Sequence, residues 1–92
     1  MSNTVMLVGR LASDVDENIL ISVARAYKNE EGIYENDLIP VKIFDGIKRN
    51  MAEYCEKGAV IGVRGRLEIF DDKLVVIAEK ITFLSRGKKD NE

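Results

Sequence analysis

The stretch IPVKIFDGIKRNMAEYCEKGAVIGVRGRLE, residues 39–68, changes periodicity twice, and the order of those changes decides the fold. In IPVKIF, Ile39, Val41 and Ile43 share one face of an extended chain and Pro40, Lys42 and Phe44 the other. That is the period-two pattern of a strand. In DGIKRNMAEYCE, Ile47, Met51, Tyr54 and Cys55 stand at i, i+4, i+7 and i+8, which makes one apolar stripe of a helix. Asp45 reads as its N-cap and Gly58 lies where a helix usually stops, so a helix is predicted over 45–56. From Ala59 to Phe70 the period returns to two.

Working outward, TVMLVGRL (4–11) and NILISVARAYK (18–28) read as two strands before this stretch, and YENDLIPVKIF (34–44) as the third. KLVVIAEKITFL (73–84) is a last strand, joined to the fourth by the short turn FDDK. Pro40 has no N–H for a ladder, so the third strand is expected to be an edge or bulged there. Gly62 and Gly65 suit sharp coiling of the fourth strand. Three strands, one helix and two strands is the order of the five-stranded OB barrel, an all-β fold whose helix plugs one end between strands 3 and 4. Residues 1–84 are expected to form this single domain, with 85–92 a polar tail.

Composition narrows the function. The chain has 92 residues, 46% hydrophobic and 33% charged, enough for one small core. No apolar run approaches the ~20 residues of a bilayer span, and the N-terminus has no export-signal pattern, so a cytoplasmic protein without membrane contact is expected. With no histidine and one cysteine, neither a zinc site nor a Cys–His nucleophile can be assembled within one chain. Asp71-Asp72 reads as a solvated turn, and Cys55 as helix packing. The chain is expected to be no enzyme and to need no cofactor or metal.

The net charge of −2 is unevenly spread. Residues 13–37 hold seven acids against two bases, whereas 38–92 hold eleven bases against nine acids. Local potential along a groove matters more than the formal sum. On the fourth strand Ile61, Val63, Gly65, Leu67 and Ile69 read as core, opposite Gly62, Arg64, Arg66, Glu68 and Phe70. On the third, Leu38, Pro40, Lys42 and Phe44 form the outward face, and Tyr27 and Lys28 leave the second strand beside its loop. Cations for phosphates and flat apolar groups for unstacked bases are what a single strand of nucleic acid requires. Tyr54 and Phe83 are assigned to packing.

Three segments resemble the bacterial-type single-stranded DNA-binding proteins: NTVMLVGRL (3–11), the opening stretch 39–68, and IAEKITFL (77–84). The resemblance covers most of residues 3–84. It implies an OB fold, homo-oligomers that are often tetramers and sometimes dimers, and stacking of bases on a few aromatics. Tyr27, Phe44 and Phe70 fall where that family has stacking aromatics, and Leu38 where it often has tryptophan. The chain departs from the pattern in three ways. It has no tryptophan, its FDDK turn replaces a long loop, and it stops at KKDNE without the acidic, apolar-tipped tail that recruits replication proteins. Recruitment by that route is therefore not expected.

The leading expectation is sequence-independent binding of single-stranded DNA in replication, recombination or repair, with Arg10, Lys28, Lys42, Arg64 and Arg66 meeting phosphates. Binding should then weaken steeply with salt. The second reading is an OB protein-interaction module resembling primosomal replication proteins, with weak or no DNA binding. RNA is a third, since stacking does not distinguish the sugars.

Overall fold

The computed structural model describes residues 1–87; of the expected tail, 88–92 lie outside the described residues. Its elements are β1 (Val5–Leu11), β2 (Asn18–Lys28), β3 (Tyr34–Lys42), α1 (Asp45–Tyr54), β4 (Val60–Phe70) and β5 (Lys73–Phe83). They close into a five-stranded barrel in the order β1-β2-β3-β5-β4. The neighbours are antiparallel except at the seam, where β3 meets β5 in parallel through Val41–Val76 and Lys42–Ile77. The expected OB architecture is the observed one.

Alternation builds the interior. Leu11, Ile19, Ile21, Val41, Ile43, Ile61 and Val63 point inward and are buried, with Met51 and Cys55 of the helix end closing the barrel. Burial pushes the Cys55 thiol up from its usual range, as the packing reading requires. Tyr54, placed on the same helical stripe, is instead half-exposed and leans on Phe83 with ring centroids 5.9 Å apart.

Three local expectations are corrected. The helix N-cap is Phe44, not Asp45: Phe44 is extended and its carbonyl accepts the first helical bond from Lys48 N–H at 2.8 Å. Asp45 instead occupies the first turn, where its carboxylate favours the positive end of the helix dipole. At the far end the chain leaves the helix at Cys55, because Gly58 turns back with positive φ and its N–H donates to the Leu11 carbonyl. Finally, Ser85–Gly87, read as the start of a free tail, is tied down. Ser85 Oγ accepts from Val60 N–H, and the Arg86 carbonyl accepts from Glu56 N–H.

Pro40 lies opposite Leu20, whose N–H and carbonyl are both engaged toward β1, on Ser13 Oγ and Ala12 N–H. The pair makes no ladder bonds, so the missing proline N–H falls on the side where β3 has no strand partner before Val41. No bulge is needed there.

β2, β4 and β5 are each 11 residues long, more than the barrel wall uses. Their ends continue as two hairpin arms, β2–β3 and β4–β5. This overturns the core assignment of Leu67 and Ile69. They lie in register with Val76 and Leu74 on the inward-phased face, but past the last β1 partner of β4 at Gly65, Leu67 at the barrel rim and Ile69 beyond it, and are 38% and 69% exposed. Asp71 and Asp72 turn the β4–β5 arm with φ of 52° and 63°, the left-handed pair of a type I′ turn. Left-handed backbone costs ~1–2 kcal/mol for most residues, less for Asp and Asn, and nothing comparable for glycine. Replacing Asp71-Asp72 by Asn-Gly is expected to raise stability by about 1 kcal/mol, read as a higher urea midpoint. An unchanged midpoint would mean the arm frays before the barrel unfolds.

Candidate nucleic-acid interface

The outward face at the β3–β5 seam gathers side chains far apart in sequence. Lys42, Ile77 and Arg66 form one cross-strand row, since Lys42 pairs with Ile77 and Ile77 with Arg66. Cross-strand partners share a face. Ile77 points outward yet is only 3% exposed, which makes it the apolar floor between the two cations. Two residues beyond Lys42, Phe44 stands at the strand-to-helix junction; four residues beyond Arg66, Phe70 stands at the tip of the arm. The Lys42 ammonium lies 5.7 Å from the Phe44 ring centroid and 4.9 Å from that of Phe70. Laid end to end, these distances put the two rings at most about 10.6 Å apart. Phe44 and Phe70 remain 56% and 47% exposed, so each keeps a ring surface for a ligand.

Further along β3, Leu38 is exposed on the same face, and its partner Ser22 lies opposite Arg10 of β1. Arg10 does not reach into this space; its Nη1 donates to the Gly58 carbonyl at 2.9 Å. Arg64 shares the outward face of β4 between Met6 and Lys80, and forms no ion pair among the described residues. Arg66 is held instead. Its Nη1 donates to Glu79 at 2.8 Å, its Nε to Glu68 at 2.6 Å, and Nη2 also pairs with Glu68. The two carboxylates raise the Arg66 pKa above its usual value. Tyr27 and Lys28 belong to a separate group on the β2–β3 arm, where the Lys28 ammonium sits 5.7 Å over the ring of Tyr34, a residue read as ordinary. Near that arm's tip a hollow is lined by Asn29, Glu30, Glu31 and Glu35, whose charges repel phosphate.

The resemblance implies stacking aromatics on an OB barrel; comparison with known proteins bears on the family and the fold. Residues 2–84 match the single-strand binding protein family. The chain belongs to that family. It is 36% identical over 78 residues to single-stranded DNA-binding protein B of Bacillus subtilis, an alignment covering 74% of this chain and 69% of the relative. The single-stranded DNA-binding protein of Oceanobacillus iheyensis is 34% identical, with 99% of this chain and 71% of the relative covered. That alignment spans 114 positions against 92 residues, so at least 22 positions are gaps in this chain. Among solved structures, the S. cerevisiae mitochondrial protein Rim1 superposes with a TM-score of 0.74 at 21% identity, covering 95% of this chain and all of Rim1. A Plasmodium falciparum protein solved in complex with single-stranded DNA gives 0.73 at 16% identity, over 92% and 96% of the two chains. At such identities these two establish the fold.

Within this single-strand binding protein, sequence reading placed Lys42, Phe44, Arg66 and Phe70 on outward strand faces but missed two neighbours. Ile77 was not assigned a face, and Glu79 was not connected to Arg66. The reason is a bulge in β5: Arg64 pairs with Lys80 but Gly65 pairs with Ala78, which leaves Glu79 without an opposite number. Glu79 and Lys80 therefore face outward in succession, which strict alternation forbids. Glu68 was visible, two residues from Arg66 on the same face.

Proposed function

We propose that this protein binds single-stranded DNA on the β3–β5 face, with bases stacked on Phe44 and Phe70 and a phosphate held by Lys42. The convergence of those three side chains is the observation that carries the reading. Base–aromatic stacking contributes ~1–3 kcal/mol per base and accepts any base, so no sequence preference is expected. Duplex DNA keeps its base faces inside the helix, out of reach of both rings. The rings lie at most about 10.6 Å apart, so bases of one short stretch of strand can reach both. The role is binding and handling of exposed strands in replication, recombination or repair in the cytoplasm, with no catalytic step. Among the described residues no three potential metal ligands cluster, and no helix is long and apolar enough to cross a membrane.

Assembly as a homo-oligomer is supported by β1, which pairs with β2 only through Arg10 and Leu11. The edge of Val5–Val8 away from β4 is thus open, with Met6 and Val8 exposed, and can take a second copy's strand. Sedimentation equilibrium giving a mass above the 10.3 kDa of one chain checks this.

The contacts of the cations favour a shallower salt response than five phosphate contacts would give. Of the cations read from the sequence, Arg10 is turned to a carbonyl and Arg66 to two carboxylates, leaving Lys42 and Arg64 on this face. At ~0.7 per phosphate contact on a single strand, two contacts give a log–log salt slope near −1.4 per protomer, shallower than five would. Fluorescence anisotropy with labelled dT oligomers, single- and double-stranded, across several salt concentrations tests the reading. Tight binding of the single strand alone supports it, and Lys42→Gln should reduce the slope by about 0.7. Failure to bind at low salt would sink it in favour of a protein-interaction module.

A further inference from the structure

We propose that Glu68 and Glu79 set the affinity of the DNA-binding face by holding the Arg66 guanidinium away from phosphates. The inference rests on the single-stranded DNA reading above. Arg66 stands in the same cross-strand row as Lys42, with buried Ile77 between them, and on the same face of β4 as Phe70. Strands lie ~4.8 Å apart, so the two cations flank Ile77 across roughly 10 Å of sheet. A DNA strand seated on Phe70 and Lys42 passes within reach of Arg66.

Most of the guanidinium's donors are taken, leaving one N–H on each Nη. All three of its nitrogens are engaged, Nε and Nη2 on Glu68 and Nη1 on Glu79. A fork of this kind is the geometry with which arginine takes a phosphate. One positive charge faces two negative ones, so the group presents a net negative patch beside the stacking site. To use Arg66, a phosphate must displace a carboxylate and then lie against it. The arrangement is specific in origin. Glu79 reaches Arg66 only because the β5 bulge turns two successive residues outward, and Arg64, one position along the same face, has no acidic partner among the described residues. Glu68 and Glu79 are thus positioning residues: they touch no base or phosphate and act through Arg66.

The test is binding of labelled dT oligomers by the full chain carrying Glu68→Gln, Glu79→Gln or both, each alone and combined with Arg66→Gln. The amides keep the shape and remove the charge at exposed positions, and unchanged melting confirms that each variant is folded. The double variant is expected to bind about tenfold more tightly at low salt. Its log–log salt slope should steepen by about 0.7, the signature of one more phosphate contact. Arg66→Gln added to it should abolish the steepening of the slope and most of the tightening, whereas Arg66→Gln in the wild-type background should weaken binding modestly without changing the slope, because it leaves two unpaired carboxylates on the face. A tightening that survives Arg66→Gln in full, with no steeper slope in the double variant, would be ordinary relief of repulsion and would overturn the proposal, as would an unchanged affinity in the double variant. If the wild type and every variant fail to bind, the single-stranded DNA reading itself falls. Binding by the wild type with no response to the amides removes only the role of the two glutamates.

Discussion

Replacing Phe44 and Phe70 together by alanine is expected to weaken single-stranded DNA binding by roughly 2–6 kcal/mol, about a thousandfold at the middle of that range. Each single variant should lose ~1–3 kcal/mol. The stacking losses should be roughly additive, with a coupling term through Lys42, the partner that both rings share. Neither change should reduce stability much: both rings are about half exposed, and neither belongs to the buried cluster of the barrel. Each ring does contribute a cation–π contact with Lys42, so part of the loss reflects a less well-placed ammonium. The salt slope separates the two effects. Loss of stacking leaves the number of phosphate contacts, and hence the slope, unchanged; loss of the lysine contact lowers it. Anisotropy titrations of the two single variants and the double at several salt concentrations, with circular dichroism as a check on folding, decide the matter. Wild-type affinity in the double variant would place the DNA elsewhere on the barrel.

Gly65→Ala is expected to cost about 3 kcal/mol or more of folding stability, a large share for a domain of this size. A Cβ at that position would lie 2.0 Å from the Ile77 carbonyl oxygen, 2.9 Å from its carbon and 3.2 Å from Ala78 Cα. All three are backbone atoms of the paired strand, so no rotamer change can relieve the clash. Gly62, which looks equivalent in the sequence, supplies the control. There the nearest atoms to a Cβ are Thr82 Cβ at 3.8 Å and the Leu7 carbonyl oxygen at 3.9 Å, ordinary contacts, so Gly62→Ala should be close to neutral. Urea unfolding of the two variants side by side checks the contrast. Equal midpoints would mean that β4 and β5 do not approach as closely at the bulge as described.

The two glycines show where sequence reading stops. Both were assigned to coiling of the fourth strand on the same ground, yet only one lies against the register shift between Arg64 and Gly65. That shift arises from pairing with a partner strand, and no property of residues 60–70 alone specifies it. The same bulge brings Glu79 to Arg66, so an arginine that reads as a phosphate ligand is engaged in the folded chain. Leu67 and Ile69 fail for a related reason: alternation assigns a face, but whether that face is covered depends on where the barrel ends along the strand.

What the sequence by itself determined is the element order, the phase of the third and fourth strands within the barrel wall, and the apolar stripe that seats Met51 and Cys55. These follow from local periodicity, which one chain segment carries alone. The joining of Lys42, Phe44 and Phe70, the floor at Ile77 and the holding of Arg66 were decided only by tertiary structure. Each depends on cross-strand register between segments up to 35 residues apart (Lys42 to Ile77), set by the closed barrel as a whole rather than by either strand.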